Sequence, residues 1–177
     1  PHSILQNFEN IERYIIVDLD EVLELAKLYL SKVLNKKDFS KIEFISNNDI
    51  DTIDNLEGSG SIDISINIDS FQEMEESTVL DYLEFISKNS NYFYSKNAIC
   101  KYHPNSVDIK LKSRTHLDTA YRMGLCKDII DIFDSNAIQK ARSKYLIKFC
   151  PKNFKIIKQA PCFGQYLYYY SALYKCK

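Results

Sequence analysis

Asp18 closes the apolar run Tyr14-Ile15-Ile16-Val17 and leads through Leu19 and Asp20 into a helical pattern, Glu21 to Leu34. In an open α/β sheet, an acid at the carboxyl end of a strand accepts hydrogen bonds from ribose hydroxyls, so Asp18 and the adjoining Leu19 are candidates for holding a nucleoside cofactor. Ser46 ends another apolar run and falls at the same level. A further polar set follows a third run: Asn67, then Ser70-Phe71-Gln72-Glu73-Met74. Glu73 and Gln72 are the residue types that orient a hydroxyl and take its proton. His103 joins them, because imidazole accepts a proton near neutrality. Each has a structural alternative: Asp18 as a capping or loop carboxylate, Gln72 and Glu73 as caps of the next helix, His103 and His116 as surface residues.

The elements that would position these groups can be read from periodicity. Asp20 is placed to cap a helix whose apolar stripe is Val22, Leu25, Ala26, Tyr29, Leu30 and Val33. A strand is predicted from Lys41 to Ser46, and then a polar stretch, Asn47 to Ser61, closes in Gly58-Ser59-Gly60. Those glycines stand among acids and before a strand, which opposes phosphate binding and favours a turn. Ile62, Ile64, Ile66 and Ile68 alternate with Asp63, Ser65 and Asn67. One apolar and one polar face is unusual for the middle of a parallel sheet, so the polar face lines a cleft or the strand lies near an edge. A helix starting near Ser77 presents Val79, Tyr82, Leu83 and Ile86, and a strand runs from Asn91 to Lys96. Beyond it come a turn at His103-Pro104-Asn105, alternation at Val107, Ile109 and Leu111, one or two helices within Leu125 to Tyr145, and two strands, Phe154 to Gln159 and Tyr166 to Tyr174. Strands alternating with helices predict a parallel α/β sheet.

Composition narrows the function classes. The chain has 177 residues, 45% of them hydrophobic and 27% charged, enough for one domain with its own core. A formal charge of -1 gives no general attraction for nucleic acid or anionic membranes, and the cluster Lys140, Arg142, Lys144 and Lys148 fits a solvated helix face. The five cysteines form no Cys-x-x-Cys pair, which opposes a zinc site and suits reduced thiols in the cytoplasm. Asp63 and Asp69 fall at opposite ends of one strand face, so no metal is expected. No apolar run approaches the ~20 residues of a membrane span, so none is expected.

Three segments carry a family resemblance: Tyr14-Ile15-Ile16-Val17-Asp18-Leu19, Ile66-Asn67-Ile68-Asp69-Ser70-Phe71-Gln72-Glu73-Met74, and Tyr92-Phe93-Tyr94-Ser95-Lys96-Asn97. In order and spacing they resemble the sugar O-methyltransferases, a bacterial branch of the class I S-adenosylmethionine-dependent methyltransferases. The resemblance implies a single Rossmann-like domain over 1–177, with helices on both faces and a C-terminal antiparallel hairpin. It implies S-adenosylmethionine as cofactor, held by Asp18, Leu19, Ser46 and Asn67. It implies a sugar or sugar-nucleotide substrate, with Glu73, Gln72 and His103 as catalytic candidates. The family's first strand and its glycine-rich turn have no counterpart before Pro1, so the chain is expected to lack them. That loss would split the sheet, and an oligomer or a partner chain would then complete it. The resulting expectation is an O-methyltransferase for a sugar hydroxyl in surface polysaccharide synthesis, cytoplasmic. The alternatives are a non-catalytic remnant or subunit and, sharing only the acid after the strand, a nicotinamide enzyme.

Overall fold

The structure is a computed structural model that describes residues 1–55, 62–103, 114–162 and 168–177. It is a mixed α/β chain made of two compact units, Pro1–Ser59 and Gly60–Lys177. The Gly58-Ser59-Gly60 segment, the alternation at Val107 to Leu111 and the side chain of His116 lie outside the described residues.

Unit 1 contains α1 (His2–Asn7), β1 (Tyr14–Asp18), α2 (Asp20–Val33), α3 (Lys36–Phe39), β2 (Ile42–Ser46) and a 3-10 segment, Asn47–Asn55. β1 and β2 pair in parallel, with Asp18 opposite Ser46. Arg13 fixes one end of the pair through a bond from Nη2 to Glu43 at 2.7 Å. The core gathers Leu5, Leu30, Leu34 and Ile42, with Tyr14, Ile16 and Phe44 packed against it. α2 departs from the expected stripe: Leu23 and Leu30 are buried, whereas Val22, Leu25 and Tyr29 are exposed. Two three-and-four patterns overlap in this helix, and a two-stranded sheet is too narrow to cover both. The helix N-cap is Leu19, not Asp20; Asp20 and Glu21 instead sit in the first turn, where acids suit the positive helix end.

Unit 2 contains β3 (Ile62–Ile68), α4 (Glu76–Asn89), β4 (Ser90–Ala98), α5 (Arg114–Arg122), α6 (Ser135–Lys148), β5 (Phe154–Pro161) and β6 (Tyr169–Cys176). The sheet order is β3-β4-β6-β5. β3 and β4 run parallel; β6 is antiparallel to both β4 and β5, which forms the expected C-terminal hairpin. α4 turns Val79, Leu83 and Ile86 into the core, as its stripe predicts. α6 is capped by Asp134, whose carboxylate accepts from the backbone N–H of Asn136 and Ala137. The region predicted helical from Leu125 therefore becomes helical only at Ser135. Ahead of it, the chain makes a bridge between Lys101 and Ile129. On α6, Lys144 pairs with Asp128, Lys148 donates to the carbonyl of Leu125 at 2.6 Å, and Arg142 stacks 5.1 Å from the Tyr170 ring centroid. Three of the four basic residues, Arg142, Lys144 and Lys148, are thus engaged by the protein's own groups.

β3 is turned opposite to the usual sense. Its isoleucines point away from the core, with Ile64, Ile66 and Ile68 exposed by 45%, 44% and 55%. Two of its polar side chains point inward: the Ser65 and Ser90 hydroxyls lie 2.7 Å apart, and Asn67 meets Asn97. Among the described residues β1 pairs with β2 alone and β3 with β4 alone, so each leaves one edge open.

Candidate functional site

The candidate residues fall in both units. In unit 1, Asp18 and Ser46 are side by side at the carboxyl ends of two parallel strands. The Asp18 carboxylate accepts the N–H of Leu19 at 2.9 Å, and the Ser46 hydroxyl accepts that of Asn48 at 3.3 Å. A carboxylate beside a hydroxyl is a hydrogen-bond acceptor set suited to vicinal ribose hydroxyls. Leu19 adds an exposed apolar side chain next to it.

In unit 2 a polar chain crosses the carboxyl ends of β3 and β4. The Tyr145 hydroxyl lies 2.7 Å from Ser95 Oγ; Asn97 Nδ2 donates to Ser95 Oγ at 3.0 Å and to Asn67 Oδ1 at 2.8 Å; Asn67 Nδ2 donates to Ser70 Oγ at 2.6 Å. Ser95 and Asn97 are fully buried. A buried polar chain of this kind is rigid because breaking any link strands a desolvated partner. Burial also pushes the Tyr145 phenol well above its ordinary value, with its bond to Ser95 opposing the shift, so it stays protonated.

Asp69, directly after β3, has φ 61, the left-handed region. Asp and Asn enter that region more readily than other residues with a side chain, because their short polar groups bond locally. Here the reversal directs the chain into Ser70 to Met74 and is pinned by the Asp69 N–H donating to Lys96 O at 2.9 Å. The Asp69 carboxylate accepts the hydroxyl of Tyr169, from the start of β6. Burial and this carboxylate both push the Tyr169 phenol far above its ordinary value, so it too remains a donor.

Gln72 is buried, and both ends of its amide are engaged. Nε2 donates to Ala98 O at 2.7 Å, and Oε1 accepts the N–H of Cys126 at 3.2 Å. It therefore clamps the loop after β3 to the last residue of β4 and to the segment after α5. Glu73 emerges beside this clamp as an exposed side chain. Lys101, half-buried, donates to Gln72 O at 3.1 Å; burial lowers its amine from the ordinary lysine value, with the neighbouring Cys126, Cys100 and Glu73 opposing. Tyr102 and Tyr168 have ring centroids 4.6 Å apart and hydroxyls 3.1 Å apart, and the Tyr168 ring lies 5.2 Å from that of Tyr169. His103 is exposed, with its ring 6.4 Å edge-on from Tyr121.

Unit 2 thus collects Asn67, Gln72 and Glu73 around one loop, with Lys101, Tyr102 and His103 following β4. The Asp69–Tyr169 bond and the Gln72–Cys126 clamp lie beyond sequence reasoning, since they join residues 100 and 54 positions apart. Among the described residues, no group of three or more His, Cys, Asp or Glu side chains is arranged to hold a metal ion. No helix among them is long and apolar enough to cross a membrane.

No protein-family model matches the chain, and no curated protein matches it significantly in sequence. Solved structures do match in fold. The methyltransferase domain of bacterial CtHen1 superposes with a TM-score of 0.59 at 10% identity, covering 98% of this chain and 83% of that one. PigF, in a structure with SAH, gives 0.56 at 13% identity, covering 100% of this chain and 52% of that one. The glycopeptide N-methyltransferase MtfA, complexed with S-adenosyl-L-methionine, gives 0.50 at 9% identity, covering 92% and 72%. The chain therefore has a Rossmann-like, class I methyltransferase fold, and it spans about half the length of the PigF chain.

Proposed function

We propose that the chain is an S-adenosylmethionine-dependent O-methyltransferase acting on a sugar or sugar-nucleotide hydroxyl, in surface polysaccharide synthesis in the cytoplasm. Two of the fold neighbours were solved with S-adenosylmethionine or with SAH, its demethylated product. The observation that carries the reading is the loop after β3, where a left-handed Asp69 and a buried Gln72 clamp set an exposed Glu73 beyond the carboxyl end of a parallel strand. Ligands of open α/β sheets are bound at that level.

In this reading Asp18 and Ser46 accept hydrogen bonds from the cofactor's ribose, and Leu19 packs beside it. Asn67, bonded to Asn97 and Ser70, is the polar group that unit 2 offers at the carboxyl end of β3. The cofactor, when bound, supplies the methyl group. Glu73 removes the proton of the attacking hydroxyl, Gln72 holds the loop that carries Glu73, and His103 is the alternative proton acceptor. Much of the acceleration in such a reaction comes from holding the reactants in line, so a short catalytic list is sufficient.

A second reading, a non-catalytic chain or subunit that needs a partner segment, is favoured by the open edges of β1 and β3 and by the exposed Ile64, Ile66 and Ile68. Calorimetric titration of the folded chain with S-adenosylhomocysteine separates the two. Saturable binding near one per chain supports the enzyme. No heat from a demonstrably folded sample rejects a self-sufficient cofactor site and favours completion by a partner.

A further inference from the structure

We propose that β3 is a dimerisation strand: its open edge pairs antiparallel with β3 of a second copy, in a register centred on Ser65, and joins the four-stranded sheets of the two copies into one. The inference is independent of the methyltransferase reading, and its failure would leave that reading untouched.

The edge is aimed outward and unguarded. Among the described residues β3 pairs with β4 alone. The Asp69 N–H turns to β4, donating to Lys96 O. Backbone groups alternate sides along a strand, so Asn67, Ser65 and Asp63 turn theirs to β4 as well, and Ile62, Ile64, Ile66 and Ile68 turn theirs to the open side. The side chains of Ile64, Ile66 and Ile68 are exposed too. Sheet edges are ordinarily protected from pairing by lysine, proline or a bulge. The other edge strand of this sheet, β5, has all three: Lys155 and Lys158, Pro161, and a register shift between Ile156 and Lys158. Ile62–Ile68 contains no lysine or proline and pairs with β4 in unbroken register.

The pattern of β3 names the occupant. Ile-Asp-Ile-Ser-Ile-Asn-Ile has the same polarity read in either direction. Laid antiparallel on itself about Ser65, it sets Ile62 opposite Ile68 and Ile64 opposite Ile66 of the other copy. Asp63 falls opposite Asn67, in the kind of cross-strand pair whose side chains approach more closely. Asp63 is exposed, and Asn67 Nδ2, which gives one proton to Ser70 Oγ, has a second to give. A carboxylate therefore meets an amide donor at both ends of the seam. Neighbouring registers are worse: centred on Ile66, Asp63 would oppose the acid Asp69, and centred on Ile64, Asn67 and Ile68 would have no opposite residue within β3. Self-pairing of this kind closes at two copies.

The test is sedimentation equilibrium of the whole chain in reducing buffer, with oxidative crosslinking alongside. Wild type should show a reversible, concentration-dependent dimer. Ile66→Lys changes an exposed residue and removes two isoleucine pairs from each dimer, so it should weaken association roughly tenfold. Asp63→Ala, also at an exposed position, should weaken it roughly threefold. Urea denaturation checks that each variant is folded. Two Ser65 residues face each other across the two-fold axis in a closer pair, so Ser65→Cys should form a disulfide-linked dimer on mild oxidation, well above the background of the five native cysteines. A wild-type chain that stays monomeric at every concentration overturns the proposal. So does a dimer that folded Ile66→Lys leaves unweakened. A dimer in which folded Ser65→Cys crosslinks no more than wild type overturns it as well, and places the interface elsewhere, such as the open edge of β1.

Discussion

Gly124 lies directly against Gln72: a Cβ at Gly124 would fall 1.8 Å from Gln72 Oε1 and 2.8 Å from Gln72 Cα. Gly124 also has φ +76, where a side chain is strained in any surroundings. Its N–H donates to Met74 O at 2.7 Å, which closes the loop that carries Glu73. Gly124→Ala combines a disfavoured backbone with a clash against a buried amide. It should lower unfolding free energy by about 2–4 kcal/mol, measured by urea denaturation. A loss under half a kcal/mol would mean that the loop shifts freely and that the clamp is not rigid.

Gln72→Leu tests the clamp from its other side. The substitution leaves Ala98 O and the N–H of Cys126 without their side-chain partner in a buried setting, so about 2–3 kcal/mol of stability should be lost. If Gln72 only positions the loop, the variant's remaining folded fraction should keep wild-type affinity for S-adenosylhomocysteine. An affinity loss with no stability loss would instead give Gln72 a direct binding role.

Asp18→Ala should weaken S-adenosylhomocysteine binding by about 1–2 kcal/mol, the scale of hydrogen bonds to an ionised group. Unchanged affinity by calorimetry would remove Asp18 from the ribose site. Glu73→Gln is expected to abolish most turnover on an accepted sugar while cofactor affinity is retained, and a wild-type rate would reassign the base.

Cys126 and Cys100 predict an alkaline limit to stability. Burial pushes the Cys126 thiol up to about 11 and the Cys100 thiol up to about 12, from 9.0 when exposed. For both, the folded state holds its proton more tightly than the unfolded state, so their contribution is complete below pH 9. It is lost as pH rises from 9 through the folded values. Urea midpoints should therefore fall between pH 9 and 11 by the equivalent of about 1–3 kcal/mol, and Cys126→Ala should flatten the slope. The same burial predicts that neither thiol reacts with Ellman's reagent at pH 8 until the chain unfolds.

Local periodicity made much of the fold legible. Val79, Leu83 and Ile86 marked the buried side of α4, and the order of strands and helices marked a parallel sheet with a closing hairpin. Alternation in Ile62 to Ile68 located β3 but could not tell which face turns inward. That depends on Ser90 and Asn97, contributed by the next strand. For α2 the overlapping apolar patterns hid the choice between Leu23 and Val22, which the width of the sheet decides. In the candidate site, the strand-end positions of Asp18, Ser46 and Asn67 were legible. The clamp at Gln72 and the pairing of Asp69 with Tyr169 were not, because both arise from long-range packing with no local signature.

β6 lies between β4 and β5 although it follows both in the sequence. During synthesis, β4 and β5 have no partner in common until Tyr169–Cys176 has left the ribosome, and β4 can only wait with one rim of amides unpaired. Closure of unit 2 is thus a late, long-range event of the slow kind. The bond between Asp69 and Tyr169 forms in that same step, so a ribosome stalled before residue 169 would carry a nascent chain in which Asp69 has no phenol to receive.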